Sequence, residues 1–198
     1  MILTAHYPPG VPKILDFVNG VQNAIKPTKA EFVYDLYQQY QPSDLIQHPA
    51  VIMLPYSVMS YRLTELYGMS IPLFIPSPRF YLNYIEKGRR GLGWDRTITS
   101  PPYCTIKFEE KFRPAFNIHP YSPNVEMVDD PESEMYWMQF ADFYDWPHIQ
   151  HFDTYDHLAE LLSKVDLNAI HQKMKQEVAL KKLRVSKSWC DISSKIVS

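Results

Sequence analysis

Two serines and a glutamate lie between two apolar runs of the chain. Ser57 and Ser60 follow the run at residues 50–54, and Glu65 lies in a predicted helix that precedes the run at residues 71–75. Free amides at a helix N-terminus and the positive end of the helix dipole favour an anion such as a diphosphate. The Glu65 carboxylate could accept hydrogen bonds from ribose hydroxyls. The alternative is that Ser60 only caps the helix and Glu65 faces solvent.

A second candidate for phosphate chemistry lies at residues 87–96, where three glycines alternate with four cations that include Arg89 and Arg90. A flexible backbone with guanidinium groups can clamp phosphate oxygens in a bidentate manner. The segment lacks the Gly-Lys-Ser/Thr sequence of a P-loop. The alternative is that residues 87–96 are only a solvent-exposed segment that follows a helix.

Hydrolase chemistry is disfavoured at the same serines. A serine on a strand-to-helix turn occupies the nucleophile-elbow position, which requires small residues two positions to either side. Ser57 instead has Pro55 before it and Met59 after it. The bulk at both positions argues against an acyl-transfer serine.

Histidines and an aspartate near residue 150 raise the question of a metal. His148, His151, Asp153 and His157 are close in sequence, and zinc sites use such residues. A predicted strand at residues 149–152 and the odd spacing of His148 and His151 turn these two side chains to opposite faces. We therefore expect no metal and no cofactor here.

Composition is that of an ordinary globular domain. The chain has 198 residues, 21% of them charged, and a net charge of −2. This balance gives no reason to expect nucleic acid or an anionic membrane as a partner. The chain as given is expected to be soluble, with no signal peptide and no membrane segment, although a longer parent chain could carry an anchor. Cys104 and Cys190 form no metal or redox motif, and a disulfide between them stays open.

Apolar runs and caps alternate along the chain. Strands are predicted at residues 1–7, 50–54, 71–75 and 149–152. Helices are predicted at residues 13–25, from the capping box 28–31 towards Tyr40, from Ser60 to Gly68, from Ser77 to Gly88, from 130 through 144, from 153 or 154 to 164, and from 168 into the 180s.

This alternation predicts an α/β fold, a Rossmann-like layered sandwich with a mostly parallel sheet, a long irregular loop at 89–124 and C-terminal helices. We expect one domain over 1–198. Residues 1–45 are interpreted as a remnant of, or linker to, a further domain, and residues 165–198 as a helical tail.

The segment around the two serines resembles the donor-binding, C-terminal half of the two-domain, Rossmann-like (GT-B) glycosyltransferases. In that family a strand ends in a Ser-rich turn, a helix carries a ribose-binding glutamate, and a small-Pro pair opens the next strand. The matching residues are Pro55, Ser57, Ser60, Glu65, Gly68 and Ile71-Pro72. Residues 141–162 are similar to the family's late strand and helix.

The resemblance implies a nucleotide-sugar donor as substrate and transfer of a hexose within a larger two-domain enzyme. Ser57 and Ser60 would hold the diphosphate and Glu65 the ribose, while one of Arg79, Arg89 or Arg90 would stabilise the leaving diphosphate.

Two features depart from the family. Its second glutamate is replaced by Ser57, and the chain has no room for the N-terminal acceptor domain that usually supplies the catalytic base. No catalytic residue is assigned. The alternative function is a non-catalytic α/β protein-interaction domain with an aromatic contact patch.

Overall fold

Five short strands form one sheet in which every pair of neighbours is parallel. The computed structural model describes residues 1–4, 12–55, 60–86, 135–136 and 138–197. The strands are β1 (Ile2–Thr4), β2 (Glu31–Phe32), β3 (Val51–Met53), β4 (Leu73–Pro76) and β5 (Gln150–Phe152). Their order in the sheet is β2-β1-β3-β4-β5. The predicted parallel α/β fold is confirmed.

The centre of the sheet is built from the two apolar runs recognised in the sequence. Ile52 of β3 pairs with Leu3 of β1 on one side and with Phe74 of β4 on the other. All residues of β3 and β4 are buried, as expected for parallel strands covered by helices on both faces.

Seven α-helices and one 3-10 helix surround the sheet in the described residues. They are α1 (Pro12–Ala24), α2 (Val33–Leu36), the 3-10 helix (Pro42–Gln47), α3 (Tyr61–Gly68), α4 (Pro78–Glu86), α5 (Asp142–Asp145), α6 (Tyr155–Lys164) and α7 (Leu167–Val197). The β1-α1-β2 and β3-α3-β4 connections run in opposite directions along the sheet. Because such connections are right-handed, α1 and α3 cover opposite faces.

Helices pack in pairs on the two faces. Tyr155 at the start of α6 lies against Gly20 of α1, where an added Cβ would come within 2.4 Å of the ring. On the other face, α7 contacts α3. There the His171 ring donates from Nδ1 to the carbonyl oxygen of Ser70 at 2.7 Å.

The helix predicted from the capping box at residues 28–31 is wrong. Glu31 and Phe32 form β2 instead, paired with Ile2 and Leu3 of β1, and only one helical turn follows. The pairing completes the sheet and buries Phe32, which outweighs the local preference for a helix start. Residues 1–45, interpreted as a remnant or linker, thus contribute β1 and β2 to the sheet.

The end of α3 also differs from the prediction. Gly68 is the last helical residue, and the left-handed residue is Ser70, with φ of 60°. Ser70 N–H donates to Tyr67 O at 2.8 Å and Ile71 N–H to Leu66 O at 3.2 Å. This pair of bonds is a Schellman motif whose C′ position, usually Gly, is Ser70 here.

The C-terminal part of the chain is helical as predicted, with two differences. Met135, Tyr136 and Met138 are helical, but the chain turns at residues 139–141 before α5, so the predicted helix through residue 144 is interrupted. Helix α7 has 31 residues and extends beyond the predicted end in the 180s. The predicted loop 89–124 lies outside the described residues.

Candidate functional site

Helices follow the five described strands and begin at the same edge of the sheet, where the parallel strands end, and three of them have a described side-chain cap. Helices α3, α4 and α6 follow β3, β4 and β5. Each begins after a hydroxyl side chain that accepts a backbone N–H bond, namely Ser60, Ser77 and Thr154. The positive ends of three helix dipoles therefore lie along the carboxyl edge.

The strand order defines a point on this edge where a ligand is expected. Connections leave β1 and β3 in opposite directions, and in parallel α/β sheets ligands are expected in a crevice at the carboxyl ends of two such strands. The segments that follow these two strands, residues 5–11 and 56–59, are outside the described ranges. Helices α1 and α3 follow these two strands, and the side-chain cap at the start of α3 is among the described contacts.

Ser60 lies at the start of α3, as predicted, and is buried. Its Oγ accepts the N–H of Leu63 at 3.4 Å, and its carbonyl oxygen accepts the N–H of Thr64 at 3.3 Å. The structural role of Ser60 as an N-cap is therefore established. The amides of Tyr61 and Arg62, the first two residues of α3, have no partner among the described residues.

Arg62 is the residue at this edge that sequence reasoning missed. Its guanidinium carbon lies 4.7 Å from the centroid of the Tyr40 ring. Its Nη1 atom is shielded from solvent and has no hydrogen-bond partner within the described ranges, and the same holds for the Tyr40 hydroxyl. A cation and a hydroxyl thus lie together, unpaired, beside the N-terminus of α3. The sequence signal was the cation at the second helical position.

Tyrosines surround the Arg62 side of the site. Tyr40 contacts the rings of Tyr34 and Tyr37, each with a centroid separation of 6.3 Å. The Tyr37 hydroxyl lies 3.0 Å from Nε2 of His48, whose pKa is lowered chiefly by desolvation. A neutral His48 imidazole can accept this hydroxyl hydrogen. Tyr34, Tyr37, Tyr40 and His48 are thus held in place by contacts with one another.

Glu65 and Arg79 are exposed, and the structure does not bring them into contact with Ser60. Glu65 lies on the second turn of α3, and Arg79 lies on the first turn of α4. Neither side chain has an ion-pair partner in the described part of the chain. Ser57, Arg89 and Arg90 lie outside the described residues.

The histidines near residue 150 have separate structural environments. His148 precedes β5 with φ of 69°, so it is not on the predicted strand. His151 donates from Nε2 to Phe143 O at 2.8 Å, and His157 Nδ1 accepts the Asp153 N–H at 3.1 Å. No group of three or more potential metal ligands occurs among the residues the structure describes.

Tyr144 connects the histidines near residue 150 to the carboxyl edge of the sheet. Its hydroxyl donates to Pro76 O at the end of β4 at 3.0 Å, and its ring lies 5.2 Å from that of His151. Burial raises the pKa of Tyr144 far above its ordinary value, so the hydroxyl stays protonated and remains a donor. The contact fixes the end of β4 from which α4 begins.

None of the described helices, including α7, combines the length and apolarity needed to cross a bilayer. We found no match to the chain among protein-family models, curated proteins or solved structures. The glycosyltransferase resemblance therefore remains a prediction, and the geometry of the carboxyl edge carries the functional argument.

Proposed function

We propose that the chain binds a nucleoside diphosphate, as part of a nucleotide-sugar donor, at the crevice beside the N-terminus of α3. The observation that carries this proposal is the solvent-shielded Nη1 of Arg62, which has no hydrogen-bond partner among the described residues. Arg62 lies in the first turn of α3, whose first two amides also lack a partner in those ranges. An anionic phosphate oxygen supplies the acceptor that both groups lack. The order of the parallel strands supports the same location.

The diphosphate is the part of the ligand that Arg62 recognises. A guanidinium presents a planar set of donors that matches two phosphate oxygens. The Tyr40 ring packs against the Arg62 guanidinium and limits its movement. The Tyr40 hydroxyl lies in the same cluster and can donate to the anion. Ser57, Arg89 and Arg90 are proposed as further phosphate contacts on sequence grounds alone.

Glu65 is proposed to bind the ribose. Its position one turn after Arg62 puts its carboxylate on the helix that carries the phosphate contact. A carboxylate is acceptor-only and pairs with two vicinal hydroxyls. Arg79, on the neighbouring helix, is proposed to neutralise charge on the leaving diphosphate. Hexose transfer would require a further acceptor-binding domain.

A thermal-unfolding titration tests the site, with uridine, guanosine and adenosine diphosphates, their sugar conjugates, and inorganic pyrophosphate as ligands. A ligand at about 100 times its Kd adds about 2.7 kcal/mol to the free energy of unfolding. For a chain of this size that raises Tm by several degrees. Arg62→Met should remove the Tm shift with every ligand.

Glu65→Ala separates the two halves of the site. The variant should lose most of the shift caused by the nucleoside diphosphates and keep the shift caused by pyrophosphate, which has no ribose. Arg184→Met is the matched control because that arginine lies far along α7, and it should behave as wild type. No shift with any ligand at millimolar concentration, or an unchanged shift in Arg62→Met, would overturn the proposal.

A non-catalytic interaction domain is the second candidate. It is favoured by a different observation, the exposed apolar side chains on α7, which include Val185, Trp189, Ile192 and Ile196. That surface lies on another element and is compatible with the nucleotide site.

A further inference from the structure

The first residue of α3, Tyr61, is an aromatic side chain that lies mostly in solvent. Its exposed fraction is 82%, the highest among the large apolar side chains that the structure describes. Within those residues the Tyr61 side chain makes no hydrogen bond and no ring contact. By contrast, Tyr40 packs against Tyr37 and against the Arg62 guanidinium. Tyr61 therefore presents both faces of its ring beside the start of α3.

Tyr61 and Glu65 lie on the same exposed face of α3. They are four positions apart, a spacing that makes two side chains neighbours on a helix surface. Helical side chains lean towards the N-terminus, so the Glu65 carboxylate leans towards Tyr61. Thr64, on the same side, donates its hydroxyl hydrogen to Ser60 O at 3.4 Å. The groups left open on this face are thus an aromatic ring and a carboxylate.

This face adjoins the group that is proposed to bind phosphate. Arg62 directly follows Tyr61, and the amides of these two residues are the ones at the start of α3 that lack a partner among the described residues. Consecutive side chains of a helix are about 100° apart around its axis. A ligand whose phosphates lie at the N-terminus of α3 can therefore extend over the neighbouring face, where Tyr61 and Glu65 lie.

We propose that the base of the nucleoside diphosphate stacks on the Tyr61 ring. This inference rests on the proposed function and adds a third contact to it. Free amides and a cation suit the diphosphate, a carboxylate suits the ribose hydroxyls, and an apolar ring face suits the base. Stacking requires no particular pattern of donors on the base, so Tyr61 accepts every base and binds the larger ones more strongly.

The position of Tyr61 favours the base over the hexose as the stacked group. The base is bonded to the ribose, so a ribose bound by Glu65 brings the base within reach of the neighbouring ring. The hexose of a nucleotide sugar is bonded to the distal phosphate instead. It is therefore separated from the ribose by the whole diphosphate, and it lies away from the Tyr61–Glu65 face.

Calorimetric titration of the full chain tests the stacking, with pyrophosphate, uridine diphosphate, its hexose conjugate and adenosine diphosphate as ligands. Tyr61→Ala should weaken adenosine diphosphate at least about fivefold. The loss should be smaller for uridine diphosphate, because uracil has one ring and adenine has two. Pyrophosphate, which has no base, should bind Tyr61→Ala as it binds wild type. Tyr61→Phe keeps the ring and should bind all four ligands as wild type does.

Trp189→Ala is the matched control, because it also removes an exposed aromatic side chain. Trp189 is 65% exposed and lies on α7 in a stretch, residues 182–196, in which every residue is exposed. This variant should bind all four ligands as wild type does. Neither Tyr61 nor Trp189 is buried, so both alanine variants should fold, and an unchanged pyrophosphate affinity verifies that the start of α3 is intact in Tyr61→Ala.

The outcomes separate this inference from the proposed function. If wild type binds pyrophosphate and Tyr61→Ala binds adenosine diphosphate equally well, the stacking is wrong and the diphosphate site stands. A loss in Tyr61→Ala that is equal for all ligands, pyrophosphate included, would also overturn the stacking. A loss confined to the hexose conjugate would place the hexose on the ring. No binding of any ligand to wild type would overturn the proposed function and the stacking together.

Discussion

At the scale of single residues, Arg62 shows why an unpaired group matters more than an ordinary surface cation. Taking a guanidinium nitrogen out of water without a hydrogen bond destabilises the ligand-free protein. The Tyr40 ring offsets part of that cost through a cation–π contact. A bound anion offsets the remaining desolvation cost. The Arg62 guanidinium therefore destabilises the ligand-free protein and stabilises the complex.

Sequence reasoning found Ser60 and could not find the Arg62–Tyr40 pair. A serine before a helix has a local signature, because the cap bond joins residues three positions apart. The Arg62 contact depends on how the chain between Tyr40 and α3 returns through β3, which no local pattern encodes.

His151 should make stability depend on pH. Its pKa is lowered mainly by desolvation, so the folded protein holds a neutral ring while the unfolded chain takes up a proton near pH 6.5. The contribution of the neutral His151 ring to the free energy of unfolding is present in full above about pH 6.5. It is lost as pH falls from there towards the lowered folded pKa. Urea unfolding at several values between pH 8 and pH 5 should show this decrease in the free energy of unfolding.

His151→Gln provides the comparison, because its amide N–H can still donate to Phe143 O and its charge does not change with pH. The variant should lose less stability than wild type over the same interval. A decrease of equal size in both proteins would show that His151 does not cause it. His48, also with a lowered pKa, should account for part of the remainder.

At the scale of elements, two glycines in helices should respond oppositely to the same substitution. Alanine favours a helix over glycine by about 1 kcal/mol. Gly68, the last residue of α3, has no atom within 4 Å of an added Cβ, so Gly68→Ala should stabilise the protein by about 0.5–1 kcal/mol. Chemical denaturation measures the change.

Gly20→Ala should instead destabilise by about 1–3 kcal/mol, because the new methyl would overlap the Tyr155 ring at 2.4 Å. That ring cannot move aside easily, since Phe17 and Phe80 lie at centroid distances of 6.1 Å and 5.2 Å. A stabilised Gly20→Ala protein would mean that α1 and α6 are not packed as described.

Elements with their own apolar pattern were predictable, and elements defined by pairing were not. Strands β3 and β4 are unbroken apolar runs, and the start of α6 was read from its cap residue. In contrast, β2 has two residues, and only its partner β1 makes Glu31 extended. Ser70 at the end of α3 lacked the usual glycine signal, so sequence reasoning assigned the cap to Gly68.

At the scale of the whole molecule, the arrangement separates two surfaces. The carboxyl edge carries the helix N-termini and Arg62, whereas α7 contacts α3 near its opposite end, through Ser70. The sequence predicted the parallel sheet and hence the edge on which a ligand is expected. It did not reveal that the charge of α7 is one-sided, because the net charge averages over the chain.

An all-parallel sheet has a consequence for how quickly this chain folds. No two of the described strands are joined by a hairpin, so each of their pairings must close a long loop before it gains contacts. Val51 pairs with Leu73, whereas Phe74 finds its partner only at Gln150. The β3-α3-β4 unit closes the shortest loop and should form the folding nucleus.

Two fully buried leucines can report the order of events in stopped-flow kinetics. Leu66→Ala, in α3, should mainly slow refolding, since its contacts form in the transition state. Leu158→Ala, in α6, should mainly accelerate unfolding, because β5 and α6 join later. The reverse assignment would place the nucleus in the C-terminal part, and the cost of closing the longest loop would then fall at the start of folding.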